Sequence, residues 1–406
     1  MIGLLATALV VSSSGTAASW TPSRGPWIAD AGTGFLEIRW APAEGALVLD
    51  TGGSWSLKAE AVAVNGIARA RVEGLRPGAA YRYRASTGAR STAVATARTL
   101  AAPGSATSFV VFGDTRTNDT PHARIASAIA ATNPDFVVNT GDLVDDGTVE
   151  ANWSRFFEAE RSLLAGALLL PAAGNHDERG LLNDSVMQRY FPRPPFYEVT
   201  AGVVRLLFVD SNRAYGPGSE QGAWILERLA AAAVDRRDGR VRWIAVVHHH
   251  PAFSSSGHGS DPAVRRDLVP LYEQFGVDVV FNGHDHDFER LESNGVTYYV
   301  TGGGGAPLYD MVAMLPQSRV HAVTHHYLRV DASETNFDVT AIDADGNVLD
   351  RASLDATRSR PAPVSAAADG EAGAIAGGLA VVLLAGAVAW IWSGRLSWPR
   401  VLRSPT

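Results

Sequence analysis

The chain has 406 residues, 35 Lys plus Arg against 42 Asp plus Glu, and no cysteine. Without a thiol there is no disulfide framework, thiolate metal site, iron–sulfur cluster or cysteine nucleophile, so any metal must be held by carboxylate, imidazole, amide or phenolate donors. A formal net charge of -7 argues against a broad nucleic-acid surface, and 46% hydrophobic with 19% charged residues describes a folding chain long enough for two domains and accessory segments.

Residues 1–18 open with an apolar run from Gly3 to Val11 and close on Thr16-Ala17-Ala18, small side chains of the kind a signal peptidase accepts. This predicts a secretory signal peptide, although no Lys or Arg precedes Arg24 and a buried first helix has a similar composition. Residues 27–100 alternate apolar and polar positions in short runs, such as Gly34 to Trp40 and Ala80 to Ala85, separated by Gly and Pro turns. Period-two alternation of this kind predicts a small all-β sandwich. Within it, Leu75-Arg76-Pro77-Gly78-Ala79-Ala80-Tyr81-Arg82-Tyr83 resembles the L-x-P-G-x-x-Y-x-Y corner of fibronectin type III domains, which implies a fibronectin type III-like fold and no particular function.

After Thr107 the texture becomes β-α alternation: apolar strands at 109–112, 136–139, 168–170, 203–209, 243–247 and 277–281 alternate with helical stretches such as 222–234. Asn294-Gly295 and Asp345-Gly346 signal hairpins near the end. Residues 107–353 are thus expected to form an α/β layered domain. Residues 354–371, with Pro361, Pro363 and many Ala and Ser, suit a solvated linker. Residues 373–392 carry no charge and end in Trp390 and Trp392 before Arg395, Arg400 and Arg403. About 20 apolar residues cross a bilayer, Trp suits its interface and Arg the cytoplasmic side, so a single transmembrane helix is expected with a cytoplasmic tail at 393–406 and the folded body outside.

Polar clusters follow the predicted strands of this domain: Gly113-Asp114-Thr115-Arg116, Gly141-Asp142-Leu143-Val144-Asp145, Gly174-Asn175-His176-Asp177, His248-His249-His250-Pro251 and Gly283-His284-Asp285-His286. Strand ends of an α/β sheet converge on one crevice, so these donors can meet although they are distant in sequence. Carboxylates, an amide and imidazoles in this arrangement make a cage for two divalent ions with one shared carboxylate.

These blocks resemble the calcineurin-like metallophosphoesterase superfamily, and within it the purple acid phosphatase branch, whose G-H-x-H-x-Y-E-R is close to Gly283-His284-Asp285-His286-Asp287-Phe288-Glu289-Arg290. The resemblance implies a layered β-sandwich flanked by helices and preceded by a fibronectin-like sandwich. It also implies two divalent or trivalent ions (Fe, Mn or Zn) and hydrolysis of a small phosphate ester. Position by position, Asp142 would bridge the ions, Asn175, His249 and His284 would complete one metal site, and Asp114 and His286 would begin the other. The chain departs from the pattern at that other site. Arg116 stands where the superfamily commonly has the His of Asp-x-His, and Asp145 where purple acid phosphatases supply a tyrosine, so Asp145 or water would complete it and the protein should not be purple.

Arg116 could then meet a substrate phosphate or pair with Asp145 or Asp146. Candidate acids for the leaving group are His176, held by Asp177, and His258 in a Gly-flanked loop. Of His248 and His250, one is expected to support the ligand His249 and the other to pack. Besides an exported, membrane-anchored phosphoesterase, two readings remain. One is a surface binding or adhesion module on the same fold, and the other a nucleotide-directed phosphohydrolase using Phe253 and Tyr215 at the crevice.

Overall fold

The apolar runs after residue 107 become strands buried on both faces, and their pleat sends successive side chains into two different cores. In the strand Thr107–Phe112, Phe109 and Val111 join one cluster while Val110 and Phe112 join another. Phe136 and Val138 are divided from Val137 in the same way along Phe136–Asn139. A computed structural model describes residues 18–50, 53, 55–178 and 186–358 of the chain.

Two sheets result. The first runs Leu168–Pro171, Phe136–Asn139, Thr107–Phe112, His326–Ala332, Asn336–Asp343, Val348–Asp355, parallel over its first three strands and antiparallel thereafter. The second runs Tyr197–Ala201, Val204–Phe208, Trp243–Val247, Val279–Asn282, Val296–Thr301, Phe288–Ser293, Ser318–Ala322, with a parallel centre and antiparallel edges. Phe109 and Val111 of the first sheet share a core with Leu206, Phe208 and Val247 of the second. Ile125, Ile129 and Phe156, from the helices Asp119–Ala131 and Glu150–Ala159, cover the first sheet's outer face. Ile225, Leu229 and Tyr272, from Glu220–Arg237 and Val269–Phe275, cover the second's. The order is therefore helix, sheet, sheet, helix, and the parallel strands of both sheets end on one side.

The long helix starts where Ser219 Oγ accepts the Gly222 N–H at 3.0 Å, and the helix Val269–Phe275 stops at Gly276, whose φ of 64° only glycine adopts at no steric cost. Before this domain, Arg24–Ala31, Phe35–Ala41, Ile67–Glu73 and Val62–Val64 form one sheet, and Ala46–Asp50, Trp55–Glu60, Ala80–Thr87 and their neighbours form another. The two make a β-sandwich whose corner is tied by Tyr81 Oη accepting the Arg76 N–H at 2.8 Å. The side chain of Trp27 points out of its own sandwich strand: it is fully buried against Phe157, 4.9 Å between ring centroids, and donates its indole N–H to Tyr190 O at 3.2 Å.

The strands exceed the expected limits. The sandwich begins with Ala18–Ser19, which pairs in parallel with Arg90–Ser91, nine positions before the expected 27 and on the last residue read as signal; Arg24–Ala31 follows, with Arg24 held by Glu150 at 2.8 Å. The last strand reaches Asp355, two residues into the segment read as linker, because Leu354 pairs with Phe337. The remainder of that linker, the expected signal up to residue 17, and the expected span at 373–392 and tail at 393–406 lie outside the described residues. Among the described residues no helix is long and apolar enough to cross a membrane.

One buried histidine makes the fold sensitive to acid. His326 is fully buried, donates Nδ1–H to Thr324 O at 2.9 Å, accepts from Thr301 Oγ1 at 3.0 Å, and is held down to about 4 by burial. A depressed histidine contributes stability that is present above the unfolded value near 6.5 and is lost as pH falls toward the folded value. In urea unfolding, the destabilisation caused by His326→Gln should be largest at pH 7 and narrow between pH 6.5 and 4. A gap that stays constant over that interval would show that His326 does not contribute in this way.

Candidate metal centre

Each donor stands two to four residues beyond a strand, after a turn that lifts it from the sheet. Asp114 follows Thr107–Phe112, Asp142 follows Phe136–Asn139, Asn175 follows Leu168–Pro171, His249 follows Trp243–Val247, and His284 and His286 follow Val279–Asn282. Asp114, Asp142 and His284 have φ of 57°, 56° and 72°, a left-handed conformation that costs a non-glycine residue about 1–3 kcal/mol and is retained where function or packing demands it. These turns bring the donors together. His249 Nε2 lies 3.1 Å from Asn175 Oδ1, 3.5 Å from Asp142 Oδ1 and 3.3 Å from His284 Nδ1, and His286 Nε2 lies 3.4 Å from Asp114 Oδ1.

The backbones are as close as the side chains. A Cβ on Gly174 would sit 2.1 Å from Asp142 Oδ1, and one on Gly283 would sit 2.3 Å from Asp114 Oδ2, so neither position admits another residue without displacing a donor. Asp114 Oδ1 and His286 Nε2 are buried without a hydrogen-bond partner although they face each other. Burial pushes Asp114 up to about 6 against the pull of His286, and His286 is raised because the Asp114 carboxylate outweighs the opposing effect of burial. Burial and neighbouring imidazoles hold His249 well below the usual range and His284 down to about 2. Both rings are therefore neutral at physiological pH, the form in which imidazole ligates a cation.

Other expected residues take different positions. Arg116 is not open to a ligand on all sides: its Nε donates to Asp142 Oδ2 at 3.0 Å and its Nη1 lies 3.6 Å from Asp145. Asp145 accepts from Thr117 Oγ1 at 3.0 Å and belongs to neither of the potential ion-binding clusters, Asp114-Asp142-His249 and His249-His250-His284. Asp177 does not hold the His176 ring. Its carboxylate accepts the backbone N–H groups of Asp142, Leu143, Val144 and Gly174 at 2.9–3.2 Å and so clamps two donor turns together. His176 instead directs Nδ1 to Asp145 O at 2.7 Å and places Nε2 3.9 Å from Asp142 Oδ2. His258, exposed, stacks on His284 with centroids 4.4 Å apart. Phe253 and Tyr215 pack in the core beneath the second sheet's helices, where Phe253 meets Tyr298 edge-on.

His250 lies closer to the donors than strand alternation implies. The strand ends at Val247, so His248 and His250 need not share a face: His248 is fully buried near Tyr272, whereas His250 joins His249 and His284 and is oriented by Ser211 Oγ at 2.8 Å from its Nδ1. A further segment, a run of four glycines, supports the donors. Gly302-Gly303-Gly304-Gly305 passes beneath the Asp114 turn, where Gly304 N–H donates to Gly113 O and Ala306 N–H to Asp114 O, both at 2.8 Å. It delivers Pro307 O to His286 Nδ1 at 2.6 Å, fixing the tautomer that turns Nε2 toward Asp114. The glycine run itself was the available signal, since such a run marks close backbone approach.

Residues 107–288 match the calcineurin-like phosphoesterase family. This chain carries a calcineurin-like phosphoesterase domain. Purple acid phosphatase 7 of Arabidopsis thaliana is 27% identical to it over 54% of the chain and 76% of the plant protein, and human tartrate-resistant acid phosphatase type 5 is 26% identical over 58% and 84%. An uncharacterized protein of Mycobacterium tuberculosis is 27% identical over 49% of the chain, which spans only 47% of that relative. A purple acid phosphatase from yellow lupin seeds shares the fold, with a TM-score of 0.69 at 18% identity over 82% of this chain and 75% of its own.

A calcineurin-like phosphoesterase domain implies a two-metal centre, and the residues present fit one. Oxygen and neutral nitrogen donors converge, and two buried polar atoms, Asp114 Oδ1 and His286 Nε2, lack any other partner. Asp177→Asn should weaken metal binding by about 10- to 100-fold and destabilise the fold by about 1–3 kcal/mol, because an amide presents hydrogens to backbone N–H groups that need acceptors. Titration calorimetry with Mn²⁺ alongside urea unfolding tests this, and wild-type values in both would remove Asp177 from its clamping role.

Proposed function

We propose that the chain is a metal-dependent phosphoesterase hydrolysing a small phosphate mono- or diester, held on the outer face of a membrane. The observation that carries the catalytic part is the convergence of Asp114, Asp142, Asn175, His249, His284 and His286 from separate strand ends, with Asn175 and Asp142 both within 3.5 Å of His249 Nε2. Asp142, Asn175, His249 and His284 would hold one cation, and Asp114 and His286, with the shared Asp142, the other. When bound, such cations supply Lewis acidity toward phosphoryl oxygens and make water acidic enough to act as a nucleophile near neutral pH.

The chain's own groups arrange the rest. Arg116 keeps a planar donor fork beside Asp142, where a phosphoryl oxygen would arrive. His176 directs Nδ1 to the Asp145 carbonyl and sets Nε2 3.9 Å from Asp142 Oδ2, which makes the ring one candidate proton donor to the leaving group. His258, carried over His284 by a loop whose His258 and Gly259 N–H groups both donate to Asp285, is the other residue placed to supply that proton. His176 and His258 lie on different segments, and either would supply the proton that the departing alkoxide takes up.

Two further parts belong to this reading. The N-terminal sandwich is fibronectin type III-like, supported by the Tyr81 tie across its corner. Export and a single-span anchor are supported by the apolar residues 1–18 and the uncharged residues 373–392.

The metal-loaded chain should hydrolyse an aryl phosphate or its diester, and Asp142→Asn and His249→Ala should each lower kcat/KM by about 10²-fold or more. Absence of metal-dependent hydrolysis of both esters, with the fold intact, would favour the reading of a binding module on a phosphatase fold. Alkaline carbonate should leave the full chain in the membrane pellet and release a chain ending at residue 362. Complete extraction of the full chain would contradict the anchor.

A further inference from the structure

One aromatic side chain beside the donors has no part in the chemistry described above. Tyr309 follows the glycine run that passes beneath Asp114, and its ring lies nearly parallel to His286, with centroids 4.1 Å apart and planes at 15°. It also meets His258 edge-on at 5.1 Å. Its backbone N–H donates to His286 O at 3.2 Å. The following residues are laced to the Ser254–Gly259 segment by the N–H groups of Val312 and Ala313 donating to Ser255 O and that of Leu315 donating to Ser255 Oγ. Ser255 is itself held through N–H and Oγ by the buried Glu289. The ring is therefore fixed at both ends of its segment, half-buried at the edge of the metal cluster.

The phenol lies close enough to Arg116 to feel its charge. A guanidinium carries only donors, so toward Arg116 the phenolic oxygen can only accept, and the phenolic hydrogen remains to be donated elsewhere. A cation beside the oxygen polarises the O–H and strengthens it as a donor. Arg116 is at the same time on Asp142 Oδ2 at 3.0 Å, which places the Arg116–Tyr309 pair directly beside the shared carboxylate.

We propose that Tyr309 is a substrate-contacting residue that donates its hydroxyl hydrogen to a non-bridging phosphoryl oxygen, with Arg116 as its polarising partner. The inference deepens the phosphoesterase reading and rests on it for the identity of the ligand, an oxygen-rich phosphoryl group. No bond to phosphorus is made or broken by Tyr309, and its proton stays on the phenol.

Tyr309→Phe keeps the ring on His286 and removes only the donor. In the full chain loaded with Mn²⁺, the variant should retain wild-type metal content and melting temperature. It should bind inorganic phosphate about 10- to 100-fold more weakly by titration calorimetry, with a matching fall in kcat/KM for an aryl phosphate, the loss expected for one hydrogen bond to a charged group. Phosphate affinity and kcat/KM both at wild-type level would overturn the proposal. So would loss of metal from the variant, which would assign the ring to supporting His286. A wild-type chain that binds phosphate but hydrolyses neither ester removes the enzyme reading while the phosphate titration still decides the role of Tyr309. A wild-type chain that binds no phosphate removes both.

Discussion

Donors from distant segments can share one crevice only if the backbones that carry them come nearly into contact, and that steric condition organises this chain. Gly174 and Gly283 stand where any side chain would collide with Asp142 or Asp114, and Gly302 stands where a Cβ would be 2.2 Å from Asp285 O and 2.9 Å from Asp114 Oδ2. Once the backbones are so close, the donors reach inward only through left-handed turns at Asp114, Asp142 and His284. That conformation is unfavourable in isolation and persists because the surrounding hydrogen bonds over-determine it. Asp177, with four N–H groups on one carboxylate, does so for the Asp142 turn, and His284 N–H donating to Asp114 Oδ2 at 3.0 Å does so for the His284 turn. The two facing sheets are the rigid support that makes such a close arrangement reproducible.

The parts of this arrangement that are local in sequence could be read from it. A glycine followed by Asp, Asn or His directly after an apolar run announces a strand end and a donor, and the strands at 107–112, 136–139 and 243–247 lie where their runs lie. Asn294-Gly295, with φ of 46° and 82°, makes the tight turn its residues call for between Phe288–Ser293 and Val296–Thr301. What could not be read depends on contacts between segments. His250 and His248 have equal standing in a strand pattern, and only Ser211, 39 residues earlier, turns His250 toward the donors. Asp177 beside His176 suggests an acid held by a carboxylate, yet its oxygens are taken by turns that the sequence does not place next to it. Tyr309 reaches His286 only because the glycine run crosses under the first strand's end.

The sandwich in front of the domain is more than a neighbour in the chain. The side chain of Trp27 points out of its own strand to join the cluster of Phe156, Phe157 and Tyr190, Tyr83 Oη donates to Ala165 O at 2.9 Å, and Arg24 pairs with Glu150. These contacts fall on the helices behind the first sheet, the layer that backs the Asp114 and Asp142 turns. Burial of a tryptophan side chain contributes several kcal/mol, so the sandwich stabilises the outer layer on which the donors' geometry depends.

Charge distribution completes the account. The chain is acidic overall, at -7, and carries carboxylates at the centre of its site, an arrangement that repels a phosphate ester unless cations intervene. Neutral imidazoles at His249 and His284 add donors without adding positive charge, so the attraction for an anion must come from bound metal and from Arg116. Arg116 replaces a neutral ligand of the related pattern with a permanent cation and sits on the same Asp142 oxygen that would face the Asp114 and His286 side. Part of the positive charge of the site is therefore built into this chain as a side chain, on the shared carboxylate itself, and the ring of Tyr309 on His286 closes the edge of the crevice beside it.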